Sequence, residues 1–278
     1  MLKSDGIKLE LECDKALPLL TRFIYDETLK IGFSRVVVGL SGGIDSALST
    51  YLAAEALGPE NVIAILMPYK TSHPSSISDA MLVVEATGVK HYKFDITPQI
   101  DAYFTRFPDA SVNRRGNKMA RERMTILYDI SAVENALVVG TSNKSEILLG
   151  YSTLWGDMAC AINPLGDLYK THIYQLAHFM DMSEPIVSKK PSADLWVGQT
   201  DEAELGFSYF DVDKLLYALI DLRYTPDEAI AMGFNEAFVE HVYEMIRKSQ
   251  FKRSTPLICK ISHRTVGKDF RYLRDWGT

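Results

Sequence analysis

Cysteine is scarce in this sequence of 278 residues: Cys13, Cys160 and Cys259 are the whole supply. They are too scattered for a zinc cluster and odd in number for a disulfide framework, which points to a reducing, cytoplasmic setting. An excess of cations is also missing, with 30 Lys and Arg against 36 Asp and Glu, a net charge of −6. That balance disfavours a general nucleic-acid binder. No apolar run is as long as a membrane span, and Met1 to Asp14 mixes charges where a signal peptide would be apolar, so no membrane partner is expected. Neither G-x-G-x-x-G nor G-x-x-x-x-G-K-[ST] occurs, which excludes the two commonest glycine-rich nucleotide loops. Repeats and low-complexity tracts are absent as well. What remains is an ordinary globular composition with material for one large domain or two small ones.

What is present centres on residues 35–50, Arg35-Val-Val-Val-Gly-Leu-Ser-Gly-Gly-Ile-Asp-Ser-Ala-Leu-Ser-Thr50. Val36 to Leu40 is an almost continuous apolar run, rich in β-branched residues, as in a strand buried on both faces. Ser41-Gly42-Gly43 breaks the run, and Ala47 to Leu57 reads as a helix that Gly58-Pro59 stops. A strand, a glycine turn and a helix N-terminus in succession form an anion site, because small residues admit the ligand and the helix dipole favours negative charge. Asp45 at the helix start would repel bound phosphates unless a Mg2+ lay between them. Ser41-Gly42-Gly43-Ile44-Asp45-Ser46 is similar to the pyrophosphate loop of ATP pyrophosphatases, which cut ATP between the α and β phosphates. An ordinary turn shaped by glycine is the weaker reading.

Residues 14 to 31 carry Leu17, Leu20, Phe23, Ile24, Thr28 and Ile31 at helical spacing, with Asp14 as candidate cap. Val62 to Met67 predicts a second buried strand, Ser76 or Ser78 the cap of a helix reaching Gly88, and His91 to Ile96 a third strand. Thr97-Pro98 opens the next helix. This alternation predicts an α/β fold, a doubly wound parallel sheet with helices on both faces. Ligands in such sheets lie beyond the carboxyl ends of the strands. The loop 41–46, Met67 to Tyr69 and Asp95 therefore share one edge, with Met67 near an adenine. His73 and His91 read as solvent-facing or hydrogen-bonded, not as ligands.

Phe107 to Lys118 reads as a polar loop leading into a helix from Met119 to Tyr128. Arg114, Arg115, Lys118, Arg121 and Arg123 form either a solvated face paired to Glu122 or a clamp for an anion; charge pattern alone does not choose. Ala136 to Gly140 predicts the fourth strand, and Thr141-Ser-Asn-Lys-Ser-Glu146 follows it. Glu146 suits a second Mg2+ carboxylate, yet taken alone it reads better as a cap for its own helix. Thr200 to Leu205 is an acidic loop able to close over the site. Helices follow over Asp211 to Leu222, Pro226 to Met232 and Glu236 to Lys248, then a basic tail from Arg264 to Arg274.

Gly140-Thr-Ser-Asn-Lys-Ser-Glu-Ile-Leu-Leu-Gly-Tyr-Ser-Thr-Leu-Trp-Gly-Asp157 resembles the signature of the NAD+ synthetase family. The resemblance continues through Ile162 to Thr171 and Lys190 to Trp196, and with Ser41 to Ser46 and Lys118 to Met124 it covers most of residues 35 to 270. It implies a Rossmann-like, adenine nucleotide alpha hydrolase-like synthetase domain over residues 1–278. Within it, 35–195 would be the nucleotide-binding core and 196–278 a helical part and tail. The implied reaction joins deamido-NAD+, ATP and ammonia through an adenylate to give NAD+, AMP and pyrophosphate. The implied ATP contacts are Gly39, Leu40, Ser41, Gly42, Gly43, Ile44, Asp45, Ser46, Met67, Thr141, Lys170 and Ser192. Arg121 and Lys252 would bind the dinucleotide, Asp45 and Glu146 would hold Mg2+, and no covalent catalyst is implied. A homodimer is implied too.

Without the resemblance, Lys170 reads as a solvated lysine at a helix start. Two positions depart from the stand-alone ammonia-dependent pattern: Leu154 and Ala161 replace a lysine and an aspartate on the nicotinate side. Of a His-Lys pair near the C-terminus only Lys252 remains. Gly150 to Asp157 and Lys260 to Tyr272 are similar to the synthetase half of glutamine-using enzymes, but no glutaminase domain precedes the first strand. Nitrogen would thus come as free ammonia or from a separate amidase. Competing readings are a GMP-synthetase-like or tRNA-thiolating ATP pyrophosphatase and a non-catalytic adenine-nucleotide sensor. Thiolation calls for suitably placed cysteines and a basic surface, and Asp45, Glu146 and Lys170 together speak against a sensor.

Overall fold

In the computed structural model, which describes residues 4–192, 194–196, 198–254, 256–267 and 269, the chain alternates strand and helix as far as the fourth strand. It runs α1 (Cys13–Ile31), β1 (Arg35–Gly39), α2 (Ile44–Leu57), β2 (Val62–Leu66), α3 (Pro74–Thr87), β3 (Lys90–Lys93), α4 (Thr97–Phe104), α5 (Val112–Glu134) and β4 (Ala136–Val139). Then come α6 (Lys144–Leu149), α7 (Lys170–Phe179), α8 (Glu184–Val187), α9 (Asp201–Leu205) and α10 (Tyr209–Leu216), which continues into a π-helical turn, Tyr217–Asp221. Two more helices follow, α11 (Pro226–Ala231) and α12 (Glu236–Ser249).

The four strands are parallel in the order β3-β2-β1-β4, with Val37 of β1 paired to Ile63 on one side and Val138 on the other. Side chains alternate across the sheet. Val36, Val38 and Leu66 pack with Leu48, Val83 and Ile173 on one face, and Val37, Ile65 and Val138 pack with Ile100 and Leu127 on the other. Both faces are covered, as the continuous apolar strands predict. A third apolar cluster joins Leu149, Val212, Leu216, Ala229, Val239 and Val242, and the N-terminal residues Ile7 and Leu9 are buried in it.

Several boundaries differ from the sequence reading. α5 begins at Val112, so most of the stretch read as a polar loop is helix. Ser111 caps it, and Gly116 admits Leu195 where a Cβ would lie 2.8 Å from that side chain. Residues 201–205 are helix α9, not an acidic loop. α1 starts at Cys13 with Glu12 at its cap position instead of Asp14. α3 starts at Pro74, where the His73 ring accepts from Ser75 N, so neither Ser76 nor Ser78 is the cap. The third strand stops at Lys93, and Asp95 accepts from Thr97 N at the head of α4. The tail read as basic from Arg264 to Arg274 lies largely outside the described residues.

Candidate active site

From β1 the chain moves outward through β2 and β3, then returns to place β4 on the other side of β1. The carboxyl ends of β1 and β4 therefore open into loops leading opposite ways, the switch point at which α/β sheets bind ligands. Ser49 of α2 donates to Gly140 O at 3.2 Å and ties that helix to the end of β4. The loop after β1 is closed on itself: Ser41 N donates to Ser46 Oγ (3.1 Å), Ser46 Oγ to Gly43 O (3.0 Å) and Gly43 N to Ser41 Oγ (3.2 Å). Gly42 has φ +80°, and a Cβ there would lie 2.3 Å from Ser76 O of α3, so both backbone sign and space demand glycine. No side chain caps α2, whose first-turn N–H groups are left for a ligand.

Opposite that helix start, Asn143 caps α6. Its Oδ1 accepts from Glu146 N (3.0 Å), and Glu146 Oε2 accepts from Asn143 N (3.3 Å). The cap is realised through one oxygen of Glu146, and the other, Oε1, faces Lys170 Nζ at 3.6 Å. Asn143 also reaches across the switch point, donating from Nδ2 to Asp45 Oδ1 at 2.9 Å. Asp45 Oδ2 accepts a short hydrogen bond from Lys170 Nζ. Lys170 is only 2% exposed, and the Tyr209 ring lies 5.2 Å from its ammonium.

Burial works against the charge on Lys170, but Asp45 and Glu146 outweigh it and hold the ammonium above the ordinary lysine range. Burial, and after it the Asp45 carboxylate, pushes Glu146 up to about 8, with Lys170 pulling the other way. Burial also raises Asp201, against the pull of Lys170 and Tyr151.

These groups open into a cavity of about 1150 Å3. Ordinary single-ligand pockets run to roughly 300–1,000 Å3, so the cavity lies just above the usual range for one ligand. Gly39, Leu40, Ser41, Gly43, Ile44, Asp45, Ser46, Met67, Thr141, Glu146, Lys170, Ser192 and Lys252 all line it. Gly42 lies beneath, against α3. Arg121 does not line the cavity; its Nε donates to Leu154 O (3.1 Å). Of the five clustered cations, Arg123 alone faces inward, with Nε on Met67 O at 3.1 Å and the guanidinium held below its ordinary range by burial. Lys118 pairs with Glu122. Leu154 and Ala161 are not in the lining, whereas Asp157 is, close enough to Lys252 for the two charges to interact.

Lys252 Nζ is occupied by Gly150 O (2.8 Å) and Ser152 O (2.7 Å). Sequence reasoning missed Asn143 as a bridge, Arg123 as a cavity residue and Tyr209 altogether. The Asn143-x-x-Glu146 spacing marks the first as a cap, the cation cluster marks Arg123 only as one of five candidates, and no local pattern marks Tyr209.

Among the described residues no group of three or more His, Cys, Asp and Glu could hold a metal alone. Mg2+ seldom uses such cages; one or two carboxylates with substrate phosphates and water are usual. Asp45 and Glu146, brought from the starts of two helices onto one ammonium, fit that pattern, and the raised Glu146 is a carboxylate that a divalent cation would ionise.

The NAD synthase family model matches residues 17–256. An NH3-dependent NAD+ synthetase from Trichlorobacter lovleyi is 58% identical over 93% of this chain and 95% of its own length. Among solved structures, NMN synthetase from Francisella tularensis superimposes with TM-score 0.80 at 30% identity over 90% of this chain and 99% of that one. The NH3-dependent NAD synthetase from Campylobacter jejuni, solved with a nitrate ion, does so with TM-score 0.78 at 36% identity over 90% and 100%.

Proposed function

The chain belongs to the NAD synthase family, and from that premise we propose how its cavity amidates deamido-NAD+ with ammonia, using ATP as co-substrate. The observation that carries the reading is the meeting of Lys170, Asp45 and Glu146 beside the uncapped start of α2.

A carboxylate does not accept ammonia, because oxide is a poor leaving group. In the first step a nicotinate carboxylate oxygen bonds to the α-phosphorus of ATP, and the bond to the α–β bridging oxygen breaks, releasing pyrophosphate. Ammonia nitrogen then bonds to the acyl carbon, AMP leaves with the C–O electron pair, and a proton is lost. Neither step needs a covalent protein catalyst; in-line placement and charge stabilisation suffice.

Met67 and Gly39 mark the adenine end, with Arg123 fixing the Met67 carbonyl. Ser41, Ser46 and the first-turn N–H groups of α2 receive the phosphates, and Thr141 and Ser192 contact ATP from facing loops. Lys170 places its charge on the departing pyrophosphate. Asp45 and Glu146 would hold Mg2+, which when bound neutralises charge on the triphosphate. Lys252 orders the Gly150–Ser152 backbone on the nicotinate side, and Arg121 serves the dinucleotide from outside the lining. We read the chain as one synthetase domain, cytoplasmic, supplied with free ammonia or by a separate amidase.

With ATP, Mg2+ and ammonium, deamido-NAD+ is expected to give NAD+ with matching AMP and pyrophosphate, and glutamine is not expected to replace ammonium. Nicotinate mononucleotide, the substrate class that the Francisella likeness raises, is run beside it with nicotinic acid and xanthosine monophosphate. Preference for the mononucleotide would reassign the substrate, and ADP release would end the adenylation reading. A homodimer is also proposed: Val112, Tyr128 and Val133 give α5 exposed apolar surface. Light scattering on the pure protein should return twice the chain mass of 31.2 kDa, and a monomer at micromolar concentration would refute it.

A further inference from the structure

Helix α10 meets the site with two residues one turn apart, Tyr209 and Asp213. Tyr209 sets its ring against the Lys170 ammonium. Asp213 is fully buried and does not line the cavity. It faces the backbone that carries the site. Asp213 Oδ2 accepts from Thr171 N (2.8 Å) and Thr171 Oγ1 (2.7 Å), and Oδ1 accepts from Ser145 Oγ (2.5 Å). Ser145 Oγ in turn accepts from Lys170 N at 2.9 Å.

One carboxylate therefore binds the first turn of α6, which carries Glu146, to the first turn of α7, which carries Lys170. The two turns are distant in sequence and share no strand. A buried carboxylate is costly on a helix whose Val212, Leu215 and Leu216 are buried as well. What it supplies instead is geometry: three acceptor contacts that hold two helix starts in fixed relation. Asp221, further along the same segment, repeats the device by accepting from Lys144 Nζ (2.9 Å) and from Tyr169 OH.

We propose that Asp213 is a positioning residue for adenylation, fixing through Ser145 and Thr171 the placement of Glu146 and Lys170 around Asp45. The inference rests on the adenylation reading above. It concerns the rate of that step and not the affinity for either substrate, since Asp213 is shut off from the cavity.

The test is ATP–pyrophosphate exchange dependent on deamido-NAD+, measured on the full chain with KM for both substrates and the thermal midpoint. Asp213→Asn keeps the volume but turns an N–H toward a group that now donates. Exchange turnover should fall by about tenfold or more, with both KM values within about threefold. Ser145→Ala should act in the same sense, and the double variant should be no slower than the worse single one, because both cut one link. If Asp213→Asn does not fold, Ser145→Ala and Thr171→Val, which removes one hydrogen bond at nearly constant volume, decide the case. Turnover within about twofold of the natural protein in the folded variants would overturn the proposal. So would a loss carried by KM, or one that only tracks the fraction of folded protein. Absence of exchange by the natural chain itself would overturn the adenylation reading, and this inference with it.

Discussion

Glu146→Gln is expected to slow adenylation by about a thousandfold while leaving the thermal midpoint of the ligand-free protein level or higher. The two effects part because the two oxygens of Glu146 face different ways, Oε2 to the α6 cap and Oε1 to Lys170. Glutamine keeps an acceptor for Asn143 N, so the cap on α6 survives. It also removes a buried carboxylate standing beside Asp45; burial and then Asp45 raise Glu146 to about 8 although Lys170 pulls the other way. The sign in pH follows. The folded protein holds this proton well above the ordinary glutamate range, so below that range Glu146 adds no pH dependence to stability. As pH rises from there through about 8, the ligand-free fold progressively loses stability relative to the unfolded chain.

Divalent cation needs the ionised form. Its affinity should therefore climb by up to about tenfold per pH unit below 8 and level off above. Titration calorimetry with a non-hydrolysable ATP analogue, in buffers of different ionisation enthalpy, should register proton release near pH 7. Glu146→Gln should abolish that release. Activity retained within about tenfold, or unchanged proton release, would count against the role.

Lys170→Met should cost turnover by about a hundredfold or more and, unlike the first variant, should weaken the fold. Lys170 is buried against two carboxylates, and removing the cation leaves Asp45 and Glu146 facing each other. Breaking a buried pair in this way costs about 3–5 kcal/mol, less here because both acids keep some access to the cavity. The deficit should be pH-dependent, smaller at pH 6 than at pH 8, since protonation of Glu146 relieves the repulsion. Added Mg2+ should raise the midpoint of Lys170→Met more than that of the natural protein. Thermal scans at both pH values, with and without Mg2+, check all three points; a pH slope equal to the natural protein's would show that the lysine does not compensate this pair.

Much of this was legible in the sequence. The strands, their parallel arrangement and the loop 41–46 follow from β-branched runs, glycines and hydroxyls whose meaning is local. The errors are local patterns overridden by tertiary contact. Asn113, Gly116, Asn117 and a cluster of cations look like a loop, yet α5 forms there because Ser111 starts it and the gap left by Gly116 accepts Leu195. The acidic run 201–205 looks mobile, but Asp201 is buried and accepts from Tyr151 and Tyr209 hydroxyls. Lys170 carried no local mark, since its partners Asp45 and Glu146 lie 125 and 24 residues away along the chain. Asp213 was invisible for the same reason: an aspartate in an amphipathic helix looks solvent-facing until the fold brings two other helix starts onto it.

The lysine between the two acids has a bearing on how the protein lives in a cell. Because the polypeptide brings its own counter-ion, a newly made molecule can reach its final shape before it has met any divalent metal. On the Mg2+ role proposed above, swings in free Mg2+ throttle turnover without endangering the fold, and a chelator silences the protein long before it unravels it.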